Sequence, residues 1–105
     1  MPTYVVLYRF TDQGRSSIKA TVQRSAEIRR ENEERGFKVL GHYWTMGHYD
    51  LVAIVQAPSE EAMLGGLFNV AEAGNVASET LRAFTDQEMQ ALLSKTSPPS
   101  PKRRK

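Results

Sequence analysis

Two strand-like runs, residues 37–45 and 50–57, are separated only by Met46-Gly47-His48-Tyr49 in the middle of the chain. A link this short, built around a glycine, makes the two runs an antiparallel hairpin. The remaining elements must be arranged around that hairpin, and the same pair flanks it on each side. Upstream, Tyr4 to Phe10 is rich in β-branched and aromatic residues and reads as a strand. Thr11, Asp12, Gln13 and Gly14 break it. From about Arg15 to Arg35 there is neither proline nor glycine, and Ile18, Val22, Ser25, Ile28 and Arg29 recur on one side at helical spacing. Gly36 supplies the stop. Downstream, Pro58 and Ser59 open a second helix, with Ser59 as N-cap and Glu60 and Glu61 near its positive end. Met63, Leu67 and Val70 form its apolar stripe, Gly74-Asn75 ends it, and Val76 to Phe84 reads as a fourth strand.

The order β-α-β-β-α-β predicts an α+β, ferredoxin-like fold. Two right-handed crossovers joined by a hairpin give a four-stranded antiparallel sheet with helices on one face. Thr85-Asp86-Gln87-Glu88 matches a capping box and starts a short C-terminal helix in which Met89, Leu92 and Leu93 are available for burial. Phe-Thr-Asp-Gln occurs both at 10–13 and at 84–87, each time where a strand hands over to a helix. The two copies do not occupy equivalent places in the two halves, so they read as a shared capping solution and not as a duplication. Residues 1–95 form the predicted domain, in keeping with one hydrophobic core for a chain of 105 residues. Residues 96–105, Thr-Ser-Pro-Pro-Ser-Pro and then four basic side chains, are predicted to be a disordered tail.

That tail decides what the charge means. The sequence pI of about 9.1 would suggest a nucleic-acid partner. Without residues 96–105, however, 10 basic and 12 acidic side chains remain, a net charge of −2. A basic face is thus not expected on the body, and nucleic acid is not an expected partner. There is no cysteine, which excludes disulfides and thiolate metal sites. The longest apolar runs, such as Leu51 to Val55, are far shorter than the ~20 residues of a membrane helix. Met1-Pro2-Thr3-Tyr4 lacks the charged and apolar start of a signal peptide. A cytoplasmic location with no membrane attachment is the expectation.

Strand alternation sorts the sheet residues into two faces. With the hairpin centred between Gly47 and His48, Thr45 opposes Asp50 and Tyr43 opposes Val52. One set is then Val5, Leu7, Val39, Gly41, Tyr43, Val52, Ile54, Ala77, Leu81 and Ala83, small or aliphatic and suited to lie beneath helices. Arg9 and Glu79 also fall in it, as a pair near the sheet margin. The other set is Tyr4, Val6, Tyr8, Leu40, His42, Trp44, Leu51, Ala53, Ser78, Thr80 and Arg82. An open face with that apolar content is a liability in a monomer. A second copy covering it would make a dimeric α+β barrel whose interior is a pocket for a small molecule.

Gly47-His48-Tyr49-Asp50 and its surroundings resemble the GYD-domain family of small, mostly bacterial proteins. The resemblance runs from Met1-Pro2-Thr3-Tyr4 through Arg9-Phe10-Thr11-Asp12-Gln13-Gly14 and Thr45 to Asp50. It ends at Gly74-Asn75-Val76 with Glu79 to Phe84, covering nearly everything except the tail. It implies a ferredoxin-like, dimeric α+β-barrel relative and implies no particular reaction.

The ligand-binding candidates are Tyr8, His42, Trp44, Tyr49, Asp50, Thr80 and Arg82, with Gly47 as a structural turn residue. Glycine and aspartate are what a turn demands in any case, so the Gly47–Asp50 segment reads first as structure, with Tyr49 packed over the hairpin and Asp50 capping amides. His42 is the candidate general base, or else an interior polar residue hydrogen-bonded to a neighbour. Arg82 with Thr80 suits a planar anion or an ion pair at a subunit contact. Tyr4, Tyr8 and Trp44 suit interface packing or an aromatic platform. His42 and His48, about 15 Å apart at strand spacing, do not make one metal site. No cofactor is expected. The function read from these residues is a non-catalytic homo-oligomeric module binding a small aromatic or anionic molecule. The alternatives are a cofactor-independent monooxygenase or isomerase using His42 with Arg82, and a purely structural assembly subunit.

Overall fold

A computed structural model describes residues 1–96; residues 97–105, most of the predicted tail, lie outside the described residues. Strands β1 (Thr3–Phe10), β2 (Lys38–Trp44), β3 (Leu51–Gln56) and β4 (Val76–Ala83) form one sheet in the order β2-β3-β1-β4, every neighbouring pair antiparallel. Helices α1 (Asp12–Ser16) and α2 (Thr21–Glu34) link β1 to β2, α3 (Glu60–Ala73) links β3 to β4, and α4 (Asp86–Lys95) follows β4. This is the ferredoxin-like βαββαβ topology with an added C-terminal helix. No helix among the described residues is long and apolar enough to cross a membrane.

The hairpin register is as expected: Tyr43 pairs with Val52 and Trp44 with Leu51, and the Thr45 N–H donates to the Asp50 carbonyl at 2.8 Å. The faces are reversed. Tyr4, Val6, Leu51, Ala53 and Val55 are buried together with Phe37 and Met63, and Tyr8 packs against that cluster. Helices therefore cover the set predicted to meet a second copy, while Val5, Leu7, Tyr43, Val52, Ile54 and Leu81 lie on the open side. Alternation states which residues share a face but not which face the helices choose. Both sets here are apolar enough for either role. The buried one also contains Val55, and it meets Phe37 from the α2–β2 connection and Met63 from α3. Val6, only 1 % exposed, sits at its centre. Burying one such side chain stabilises by about 1.5–3 kcal/mol.

The β2–β3 register shifts between Val39 and Gly41, leaving Leu40 as a bulge residue. That shift returns Val39 to the helix side, where it packs on the core, and turns Leu40 outward at 56 % exposure. Neither residue belongs to the face expected from unbroken alternation.

The single helix expected over about Arg15–Arg35 is divided. Ser16 and Ser17 hydroxyls both donate to the Gln13 carbonyl, at 2.7 and 3.3 Å, competing for an acceptor of the helical ladder. After α1 a 3-10 turn, Ile18–Ala20, leads into α2. Helix α1 begins earlier than expected because Thr11 caps it: its Oγ1 accepts from the Gly14 N–H at 3.1 Å. Thr85 does the same for α4, accepting from the Glu88 N–H at 3.1 Å while Glu88 accepts from the Thr85 N–H at 2.8 Å. The repeated Phe-Thr-Asp-Gln is thus one capping device used twice.

The first copy also ties two distant segments together. Thr11 Oγ1 donates to the Gly74 carbonyl at 2.6 Å, the Thr11 N–H to the Asn75 carbonyl at 3.1 Å, and Gln13 Nε2 to the Ala73 carbonyl at 2.8 Å. Gly14 lies so close to the Asn75 backbone that a Cβ there would collide with its carbonyl. Helix α4 does not bury the stripe expected of it: Met89, Leu92 and Leu93 are all exposed.

Candidate functional site

Between α2 and the covered face of the sheet is a cavity of about 80 Å³. The inward stripe of α2 (Ser25, Ile28, Arg29 and Asn32, spaced as successive turns of one helical side) forms its roof. Val39, Leu51, Ala53 and Val55 on the sheet and Val70 of α3 make most of its walls apolar. Tyr8 and His42 bring polar groups to it from β1 and β2. The space exists because α2 stands off the sheet: none of its residues is fully buried. One anchor is visible at its start, where Trp44 Nε1 donates to Thr21 Oγ1 at 3.1 Å.

His42 dominates the polar end. Its ring meets Trp44 edge to face, with centroids 4.8 Å apart. Its Nδ1 is buried and has no hydrogen-bond partner. Burial, and after it the positive charge of Arg29, hold the imidazole below its ordinary value of 6.5. Burial pushes the Tyr8 phenol above 10. Tyr8, His42 and Trp44 are therefore brought together, but beneath this chain's own helices and not in a lumen between two sheets. The expectation that an interior His42 would be hydrogen-bonded to a neighbour does not hold for Nδ1.

Ser25, Arg29 and Asn32, the polar residues of the roof, were not singled out as ligand candidates in the sequence. The available signal was polar side chains on the inward stripe of a helix, which normally mark only its margin.

Tyr49 and Asp50 are occupied elsewhere. Gly47 has φ +107°, so the turn needs glycine there. Asp50 Oδ2 accepts from the Phe10 N–H at 2.8 Å and the Asp50 N–H donates to the Tyr8 carbonyl at 2.8 Å, fastening the turn to β1. Tyr49 reaches across the open face to β4 and donates to Glu79 Oε1 at 2.6 Å. That bond is the main reason its phenol is raised above 10. Arg9 lies over the Tyr49 ring at 5.1 Å and donates to the His48 carbonyl at 2.9 Å. Arg9 and Glu79 thus share Tyr49 between them, in place of the direct pair expected from sequence. His48 stands edge-on to Tyr49, its ring centroid 6.0 Å from that of Tyr49.

Arg82 does not join His42. Their strands, β4 and β2, are opposite edges of the sheet, and the row His42–Ala53–Val6–Thr80 crosses all four strands. At ~4.8 Å per strand, even Thr80 is ~14 Å from His42. Arg82 lies over the rings of Phe84 and Tyr4, 4.3 and 5.6 Å from their centroids, and donates to the Thr3 carbonyl at 3.2 Å. The His42–Arg82 pairing that the enzyme alternative requires does not assemble within one chain.

A four-stranded sheet with helices on one face, a strapped Gly-His-Tyr-Asp turn and an apolar cavity beneath α2 define a small ferredoxin-like domain. The GYD domain family matches residues 4–93, and the chain belongs to that family. A protein of Thermus thermophilus named "Glutamine synthetase and cystathionine beta-lyase binding protein" is 31 % identical over 94 residues, covering 89 % of this chain and 99 % of that one. Among solved structures, the crystal structure of MtbAldR matches with a TM-score of 0.62 at 15 % identity, over 81 % of this chain. The match spans 52 % of that longer chain and bears on the fold alone.

Proposed function

We propose that this protein is a non-catalytic binding module that pairs with a second copy and acts by docking on enzymes of nitrogen or sulfur amino-acid metabolism. The observation that carries the reading is the open sheet face. Tyr43 and Leu81 are 59 % and 44 % exposed there, beside the half-buried Val5, Leu7, Val52 and Ile54. A contiguous apolar face of this kind marks an interaction surface. Sheet-to-sheet pairing of two copies covers it, in the arrangement expected of a dimeric α+β barrel but through the opposite face from the one alternation suggested. The class of client follows from the name of the Thermus thermophilus relative, which aligns almost end to end with this chain.

Native mass spectrometry at micromolar concentration tests the pairing. A dimer is expected, and Leu81→Glu should yield monomers with unchanged far-ultraviolet circular dichroism. A strictly monomeric wild type would sink the proposal. For the clients, co-sedimentation with purified glutamine synthetase and cystathionine beta-lyase should give a stoichiometric complex with at least one of them; failure with both removes that part of the reading.

A second reading, that the module carries a small molecule, is favoured by the cavity beneath α2, whose walls are mostly apolar. A base in catalysis is usually oriented by a further group, and among the described residues none is hydrogen-bonded to His42 Nδ1.

A further inference from the structure

We infer that the open face of the sheet carries a binding site for a free α-amino acid with an uncharged side chain, its carboxylate on Arg9 and its ammonium on Glu79. The inference rests on the pairing proposed above, because the second copy would roof the site. The site is a depression of about 220 Å³ at the end of the face nearest the Gly47 turn, bordered by Leu7, Arg9, Tyr49, Ala77, Ser78 and Glu79. Sheet register creates it. Leu7 lies opposite Glu79 and Arg9 opposite Ala77, so these four side chains stand side by side on the face away from the helices. Tyr49 reaches over from the turn and makes the wall.

Its polar groups are held from behind and remain open in front. Arg9 commits Nε to the His48 carbonyl at 2.9 Å, which leaves the outer fork of its guanidinium for a planar anion. Glu79 commits Oε1 to the Tyr49 hydroxyl at 2.6 Å, which leaves Oε2 as an acceptor. Both residues are exposed in the single chain, so a solute reaches them. Tyr49 also keeps the two charges apart, with Arg9 over its ring at 5.1 Å and Glu79 at its hydroxyl. A ligand with an ammonium and a carboxylate on one carbon can bridge that gap, while a simple acid or amine engages only one side.

Pairing makes such a ligand necessary. As they stand, Arg9 and Glu79 are solvated and need nothing further. Under a second copy each would lose water and require a counter-charge. An amino acid brings both counter-charges through charge-assisted bonds and adds no net charge. Leu7 and Ala77 give the depression an apolar floor, and Arg9 and Glu79 are the charged residues of its lining. A side chain without charge therefore fits that floor.

The test adds L-methionine to the isotope-labelled full chain and follows the backbone amides of Ala77 and Glu79 by NMR. The control probes are 4-(methylsulfanyl)butanoate, which lacks the amine, and 3-(methylsulfanyl)propylamine, which lacks the carboxylate. Native mass spectrometry of the same samples gives the subunit number. Methionine is expected to shift both amides saturably and at least tenfold more tightly than either control. Arg9→Gln should weaken methionine at least tenfold and leave the amine unchanged. Glu79→Gln should weaken methionine equally and leave the acid unchanged, with circular dichroism confirming both folds. Leu81→Glu, which lies outside the lining, should weaken methionine at least tenfold by removing the roof. Equal binding of methionine and either control would overturn the assigned class. A dimer showing no shift at millimolar concentration would overturn the site and leave the pairing standing. A monomer that binds methionine would overturn the pairing and the roof while keeping the site.

Discussion

Asp50 holds two strands with one residue: its carboxylate takes the Phe10 N–H and its own N–H binds the Tyr8 carbonyl. Asp50→Ala leaves the Phe10 amide without that acceptor, and a loss of about 1–3 kcal/mol is expected in urea unfolding. Asp50→Asn keeps an acceptor oxygen and should cost less. That Asp50 would cap an amide was readable from the turn. That the amide belongs to β1 was not, since a hairpin pattern carries no information about a third strand. His42 gives the second prediction at this scale. Its imidazole is held below 6.5 by burial and by Arg29, so the unfolded chain takes up the proton first. The stability associated with neutral His42 is complete above 6.5 and is lost as pH falls through the lower folded-state value. Urea midpoints from about pH 7 to about pH 5 should therefore decline, and His42→Gln should flatten that part of the profile.

Helix α4 combines a complete cap with almost no support. The Thr85–Glu88 box satisfies its first turn, yet Met89, Leu92 and Leu93 remain exposed. Thr85→Ala is expected to remove about 1 kcal/mol from the helix. Because α4 packs so little on the rest of the chain, hydrogen exchange should quicken in residues 86–95 while protection of β1 and β3 stays unchanged. Glu88 is held below its ordinary 4.5 chiefly by the Thr85 backbone bond. The contribution of the box to α4 is therefore present above 4.5 and is lost as pH drops through the depressed value. The box was legible because it is a local pattern of four residues. The fate of the helix was not, since an apolar stripe states what a helix can bury and not whether the chain offers a place for it. The same limit governed the sheet. Val5, Leu7, Val52 and Ile54 compete on nearly equal terms with Tyr4, Val6, Leu51 and Ala53, and only packing against Phe37 and Met63 decides between them. The break at Ser17 depends on two hydroxyls choosing one carbonyl, and the bulge at Leu40 on a single unpaired residue. Neither disturbs composition or periodicity enough to be seen beforehand.

For the molecule as a whole, the element order, the hairpin register and the family segments were legible because each rests on short-range patterns that agree with one another. Of the residues expected to share a pocket, Tyr8 and His42 line the cavity and Trp44 only meets the His42 ring, while Arg29 and Asn32 were not singled out and the covering layer is the opposite of the one expected. We also propose that the basic C-terminal decapeptide is dispensable for folding. Deleting residues 96–105 should leave the urea midpoint unchanged, while the body left behind becomes net acidic at −2. The bulge in β2 has a bearing on how copies of this chain can add to one another. A β-ribbon grows without limit only if each new unit offers an edge as regular as the one it occupies. The sheet has two outer strands, and in one of them the extra residue at Leu40 spoils the spacing of donors and acceptors. Fibre-like polymerisation along the hydrogen-bonding direction is thereby discouraged at one terminus, so association through the flat of the sheet can end in a closed, countable complex.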